Sequence, residues 1–303
     1  MPANATMTGN IPASIRAVYS KEIIRQAQPR LRFSQFAKKK TDLQTTPGGA
    51  IKFTKYSSIA KGGKLTEGVN MSEKGMSNSE ITIPVEEYGN AVKVSEKAIQ
   101  LSVHNELGEA SIALANDLAI VLDEALRDTA LQTTNQVFGG GKVTAGGLLA
   151  GDGFTTQTIK DVVEALATNN APKIDGQYYI CIAHPHQLRQ LRDDANWINA
   201  HSYVGVDNVY QGEVGMFEGV RFVETTQMPH NSASESLSKY GISIPTWEAV
   251  IFGENSYGWA EALPVEMRDN GVEDYGRMHG IAWYAIWGFG IVEEQNIFSI
   301  LTA

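Results

Sequence analysis

Apolar positions change their period several times along the chain, and each change marks an element. Ile15, Val18, Tyr19 and Ile23 recur at helical spacing after Pro12 and Ser14, and Pro29 stops the pattern, so a helix is expected in this stretch. Leu31, Phe33 and Phe36 follow, then Lys38-Lys39-Lys40. Three apolar side chains form no core of their own and must dock on something. Ile51 and Phe53 alternate with polar neighbours, as do Ile81, Ile83 and Val85 and then Ala91 to Val94. The two runs, 50–56 and 80–94, are expected to be strands of a hairpin. Between them, residues 57–79 carry Gly62, Gly63, Gly68 and Gly75 and almost no large apolar side chain besides Leu65 and two methionines. A loop this long inside a compact domain needs a function. Residues 47–93 are therefore expected to project from the body as a long hairpin that buries little within one copy.

The strongest periodicity spans 104–131, where Leu107, Leu114, Leu118, Val121, Leu122 and Ala125 make one face and Glu106 and Glu109 favour the first turn. At ~1.5 Å per residue this helix reaches about 42 Å and suits a scaffold for other elements. Gly139-Gly140-Gly141 and Gly146-Gly147 then break the chain. A second unit starts near 151. Its helix is signalled by Ile159, Val162, Val163 and Leu166, its strands by 178–183, 219–224 and 249–253, and a short helix by His186 to Asp194. Alternating strands and helices make it mixed α/β. The Ser/Asn-rich segment 229–246 is expected to be a surface loop. Residues 280–287, 291–292 and 296–301 return to strands apolar on both faces, expected to pack on the long helix and so make the first domain discontinuous. No internal repeat is apparent.

Composition narrows the classes. At 303 residues, 43% hydrophobic and 19% charged, the chain has ample material for a core, which excludes whole-chain disorder. The lone Cys181 excludes an intramolecular disulfide and fits a reducing compartment. No apolar run reaches the ~20 residues of a membrane helix; the uncharged run Met278 to Val292 is shorter and reads as buried strand. The start, Met1 to Ile11, lacks the features of a secretion signal. Net charge is −9, but residues 1–65 hold 12 Lys and Arg against Glu22 and Asp42, while the remainder holds 13 against 32 acids. A basic first fifth on an acidic body could bind nucleic acid or the acidic body of another copy.

Catalytic motifs are weak. Gly139-Gly140-Gly141-Lys142 is followed by Val143 where a phosphate loop needs Ser or Thr, and a helix precedes it, so a flexible connector is expected. His184-Pro185-His186 with Asp193 and Asp194 nearby lacks metal-ligand spacing, and a histidine pair capping the next helix is the plainer reading. Cys181 in an apolar strand reads as an inert core thiol. There is no Gly-x-Ser-x-Gly elbow, and Asp193-Asp194 and Glu293-Glu294 carry no spacing signal. No catalytic, cofactor or metal site is expected.

The order of parts, namely docking arm, projecting hairpin, long helix, α/β insert and closing strands, resembles the major capsid protein of tailed bacteriophages, the Hong Kong ninety-seven type of shell fold. Individual stretches are similar to the branch typified by coliphage N-four: Arg32-Phe33 to Lys39, Leu65-Thr66-Glu67-Gly68, Glu87-Tyr88-Gly89-Asn90, Ala183-His184-Pro185 with Leu188 to Asp194 and Trp197, Gly212 to Gly215 with Gly219 to Thr225, and Gly280 to Tyr284. The resemblance covers nearly the whole chain. It implies an α+β fold with an N-terminal arm (1–46), an extended loop over a neighbouring subunit (47–93), a peripheral domain (94–150 and 265–303) and an axial domain (151–264). It also implies a structural, non-enzymatic protein that self-assembles as pentamers and hexamers into an icosahedral head around double-stranded DNA, within the bacterial cytoplasm. Phe33, Phe36, Lys38, Lys39, Lys61, Lys64, Leu65, Glu67 and Tyr88 become the expected subunit-interface residues. A separate scaffolding protein is expected because residue 1 leads directly into the arm, along with a portal partner and no membrane. Some members of the fold join neighbours through a Lys–Asn bond, and Lys61, Lys64 and Lys74 lie in the loop, where solubility explains them equally. The rival readings are an encapsulin-type nanocompartment shell, a DNA-binding protein using the basic arm, and a metal-dependent enzyme at His184 and His186.

Overall fold

The computed structural model describes residues 31–42, 48–56, 59–64, 67–68, 70–71, 73–102, 106–201, 213–231, 241–242 and 244–303. In chain order its main elements are β1 (Lys38–Lys40), β2 (Ala50–Tyr56), β3 (Asn78–Pro84), β4 (Glu86–Ser95), α1 (Glu96–Leu101), α2 (Glu106–Ala130), β5 (Gln136–Phe138), α3 (Thr156–Thr168), β6 (Tyr179–Ala183), α4 (Pro185–Arg192), α5 (Ala195–His201), β7 (Glu213–Phe217), β8 (Val220–Glu224), β9 (His230–Asn231), β10 (Thr246–Phe252), β11 (Tyr257–Glu273), β12 (Met278–Ile291) and β13 (Ile297–Thr302). The helix expected between Pro12 and Pro29 lies outside the described residues.

The first sheet has the order β1-β11-β12-β4. Its spine is the long β11–β12 hairpin, whose register shifts three times between Glu261 and Gly271. Such bulges bend a strand and increase its twist. Helix α2 runs 25 residues and buries Leu114, Ala115, Leu118, Ala119, Leu122 and Leu126 in one cluster with Trp283, Ala285 and Trp287 of β12. Two polar ties fix its angle on the sheet: Trp283 Nε1 and Asn90 Nδ2 both donate to Asp117 Oδ2, at 2.9 and 3.0 Å. The mixed helix-and-sheet fold class expected from the sequence is the one found.

The second sheet has the order β5-β13-β10-β6-β8-β7, with β6 parallel to β8 and β5 parallel to β13. Every residue of β6 is buried, and strand alternation explains why. Ile180 and Ile182 join the core under α2, while Tyr179, Cys181 and Ala183 face a second core with Ile159, Val162 and Leu166 of α3 and Leu188 and Leu191 of α4. The sheet is thus the wall between two cores.

Two placements depart from the expected domain limits. The boundary at 264/265 falls inside β11. Strand β13, expected with the long helix, pairs along its whole length with β10 in the second sheet, and β5 joins it there. Apolar residues on both faces called for a central strand, but either sheet would have satisfied them. Phe298 and Ile300 enter the second core and Ile297 the first, so the strand serves both.

Candidate functional site

The basic segment before the hairpin is anchored within its own chain. Asp123 sits fully buried in the apolar face of α2. Its Oδ1 accepts from the backbone N–H groups of Arg32 and Phe33, each at 2.8 Å. Tyr257 donates its hydroxyl to the Phe33 carbonyl at 2.8 Å. The Phe33 ring is fully buried beside Tyr257, and Phe36 meets Phe252 edge-on at 5.7 Å. Burial pushes the Asp123 carboxyl up to about 6, while the N–H groups of Phe33 and Arg32 and the charges of Arg32 and Arg127 pull the other way. Burial, and next Asp123, raise the Tyr257 hydroxyl well above its ordinary range.

The lysine run then becomes β1, parallel to β11, with Lys39 opposite Trp259. Lys39 Nζ lies 2.8 Å from the Glu261 carboxylate and 4.3 Å from the centre of the Trp259 ring. Lys40 Nζ donates to the Lys52 carbonyl at 2.8 Å and pairs with Asp42 at 3.1 Å. Lys38 is exposed. Phe33, Phe36 and Lys39, expected to meet a neighbouring subunit, thus make their contacts inside one subunit. The cause is Asp123, an acceptor that no spacing rule connects to residues 32 and 33. Its signal in the sequence was an acid directly after Leu122 in the stretch of Leu118, Leu122 and Leu126. Tyr88 is also engaged within the chain, 5.6 Å from Trp287 and 5.8 Å from Phe289 between ring centres.

Beyond this anchor, β2 and β3 pair antiparallel from Ala50↔Pro84 to Tyr56↔Asn78. The hairpin's base does not project free. Ile51, Phe53 and Ile83 are buried with Ala260. They are seated on three glycines of β11 and β12, where a Cβ would press on them. A Cβ on Gly288 would stand 2.1 Å from the Pro84 carbonyl oxygen, one on Gly290 2.9 Å from Ile83 Cδ1, and one on Gly258 2.9 Å from Phe53 Cζ. The contact at Gly288 is with backbone, which has no rotamer to yield. Gly288→Ala is therefore expected to lift the hairpin from its seat and cost about 1–3 kcal/mol. Chemical denaturation, with protease cutting near residue 84 as a second readout, checks this; unchanged stability and unchanged cutting would show that the seat is soft.

The far part of the hairpin behaves differently. Lys61, Lys64 and Glu67 are exposed, and Leu65 lies outside the described residues. Tyr56, Ile59, Met71 and Met76 expose 65%, 56%, 69% and 64% of their surface. Lys74 Nζ bridges the two limbs by donating to the carbonyls of Lys61 and Ala60, at 2.5 and 3.2 Å. These four make an exposed apolar series that the described residues of one copy do not cover. The two methionines were visible in the sequence, but their exposure was not.

The weaker chemical motifs resolve as structure. Lys142 lies 3.7 Å from Asp152, and Gly139 and Gly140 abut Asp152 so closely that a Cβ on either would stand 2.2 Å from it. The glycine run is thus a tight turn around one aspartate, with Gly140 at φ 63°. Cys181 is buried, and burial holds its thiol far above the ordinary range. Among the described residues no group of three or more His, Cys, Asp or Glu is placed to hold a metal ion, and no helix is long and apolar enough to cross a membrane.

Known proteins supply the context for this geometry. A family model described as phage capsid protein matches residues 79–300. Comparison with curated protein sequences gives no match. Among solved structures, the fold is similar to the capsid of Ralstonia phage GP4, with 17% identity, a TM-score of 0.72, and 88% of this chain and 87% of that one covered. The capsid of cyanophage Pam1 superposes with 14% identity and a TM-score of 0.71 over 92% of each chain. The mature capsid of bacteriophage PhiM1 gives 13% identity and a TM-score of 0.64, over 89% and 86%. Affinity to the N-four branch rests on the sequence stretches alone. The family match spans most of the chain, from the start of β3 into β13, and the fold agrees over nearly all of it; this chain belongs to the phage capsid protein family and is a structural major capsid protein.

Proposed function

We propose that copies of this chain close into the icosahedral head of a tailed phage, as pentamers and hexamers around double-stranded DNA, and that they do so without catalysis. In this reading residues 1–46 are the arm, which lends β1 to the first sheet, 47–93 the extended loop over a neighbour, which returns to that sheet as β4, α2 with β11 and β12 the peripheral domain, and the second sheet with α3 to α5 the axial domain. Lys61, Lys64, Leu65 and Glu67 belong to the contact. The observation that carries it is the hairpin: its foot is locked on Gly258, Gly288 and Gly290, and its far part exposes Tyr56, Ile59, Met71 and Met76. A locked foot presents apolar side chains at a fixed distance from the body at little entropic cost, which repeated weak contacts require. Heterologous contacts of this kind close into shells when the rotation closes. A separate scaffolding protein and a portal would complete the assembly in the host cytoplasm.

The rival use of the basic segment as a DNA clamp is weakened by its own pairing. Lys39 is engaged by Glu261, and Lys40 by Asp42 and the Lys52 carbonyl. Electron microscopy and solution mass of the chain expressed alone, then with scaffold, test the proposal. Shells, rings or tubes are expected, with DNA as the cargo of particles from infected cells. A monomer under both conditions overturns assembly, and shells that carry an enzyme instead of DNA overturn the phage head in favour of a nanocompartment.

A further inference from the structure

Three imidazoles meet where the second sheet gives way to α4. His184 follows β6 and caps the helix: its Nδ1 accepts from the His186 N–H at 3.1 Å, and its own N–H is met by Gln187 Oε1 at 3.4 Å. Gln187 is buried and donates onward to the Trp247 carbonyl at 3.1 Å and to Thr302 Oγ1 at 2.9 Å, so the cap is tied to β10 and β13. His230 of β9 brings its ring centre to 5.0 Å from that of His184. His186 stacks on Trp247 at 3.8 Å and 9°, with its Nδ1 buried and unpartnered.

We propose that this cluster is an acid-operated latch, in which protonation of His184 frees the first turn of α4 and the β9 segment from the second sheet. A capping histidine differs from the usual Ser, Asn or Asp in one respect: its acceptor disappears on protonation. Nδ1 carrying a proton no longer accepts from the His186 N–H, and that N–H is one of the helix's orphan donors. The new charge stands at the positive end of α4 and beside the His230 ring. All three consequences push in one direction.

Among the described residues, the charged groups around the cap are of both kinds. On α4 itself the nearby charges are His186 and, beside it, Arg189, which are of the same sign as protonated His184. Arg192 of α4 is engaged by Glu224 of β8 at 3.2 Å. Glu248 of β10 is buried on the face of that strand away from Trp247 and the stacked His186; continued by one residue, the β6–β10 register sets it across from His184, so it is the acid against which the latch works. Burial, then His230 and His186, hold His184 below the ordinary imidazole range, and burial followed by Arg189 does the same for His186. With a folded value depressed below the ordinary one, the stabilisation is complete above the unfolded imidazole range. It is lost as pH falls through the folded value.

Amide hydrogen exchange of the full chain between pH 8 and pH 5, corrected for intrinsic rates, tests the latch, with imidazole NMR shifts recording when His184 takes its proton. Protection of the first α4 amides, His186 to Leu188, is expected to fall about tenfold as His184 titrates, the loss of a good helix cap. Protection of α2 from Leu118 to Leu126 should hold. In His184→Asn, which substitutes a strong cap with no titration, the acid step should vanish. An identical acid step in His184→Asn, or α4 protection that ignores His184's titration, overturns the proposal. If His184→Asn also loses α2 protection, the wild-type titration alone decides, since exchange in step with His184 supports the latch and independent exchange overturns it.

Discussion

Deleting residues 60–76 is expected to leave a folded subunit that no longer forms shells. Every described residue of this stretch is exposed, so removing those residues takes nothing from the buried clusters. Pairing of β2 with β3 ends at Tyr56↔Asn78, so Ser57, Ser58, Ile59 and Ser77 remain to join the strands, a length hairpins commonly use. Subunit stability should therefore stay within about 1 kcal/mol of the parent. Assembly should not survive. Met71 and Met76 are lost, and burying a methionine against a neighbour contributes roughly 1.5–3 kcal/mol. Two of them weaken each contact by about a hundredfold to ten-thousandfold, since every 1.4 kcal/mol is tenfold. Calorimetry on the subunit and electron microscopy under assembly conditions read the two halves separately. Normal shells from the deleted chain would mean that the loop is not a contact, whatever the fold.

How far the sequence revealed this arrangement depends on what kind of signal each part carries. Helix α2 was legible to within a turn because its stripe is long and regular, and the pairing of β2 with β3 was legible from alternation; the expected second strand, 80–94, instead divides at Val85, and β4 leaves the hairpin to pair with β12 in the first sheet. The long loop was legible by what it lacks, large apolar residues. The seat beneath the hairpin was not. Gly258, Gly288 and Gly290 read as strand weaknesses until Phe53, Ile83 and the Pro84 carbonyl are seen pressed onto them. The inward use of Phe33 was equally hidden. Apolar residues without a local core need some partner, but whether that partner is a neighbour or the chain's own α2 depends on tertiary placement. Strand β13 shows the same limit, since a strand apolar on both faces states that it is central and not in which sheet. Period identifies elements and buried faces; it carries no information about which of two buried faces will meet.

The placement of Phe33 makes Asp123 the residue on which the anchor of the arm depends. Asp123→Ala leaves the N–H groups of Arg32 and Phe33 without their acceptor inside the protein, at about 1–3 kcal/mol for each unsatisfied group. A loss of roughly 2–6 kcal/mol is expected from the pair, together with protease cutting between residues 31 and 40. Asp123→Asn should behave in the opposite sense, because its amide oxygen still accepts both N–H groups and carries no buried charge. The pH dependence separates charge from hydrogen bonding. The folded carboxyl, at about 6, lies above its ordinary 3.8, so the folded state holds the proton more tightly than the unfolded one. Below about pH 4 the carboxyl is protonated in both states, and the wild type should match Asp123→Asn in stability. As pH rises through 6 the wild type should fall behind the amide variant by about 3 kcal/mol, the cost of ionising a buried group shifted by roughly two units. Denaturation midpoints of the wild type and both variants at about pH 4, 6 and 8 measure this directly. A wild type that gains on Asp123→Asn as pH rises would show that the charge, and not the acceptor geometry, holds the arm to α2.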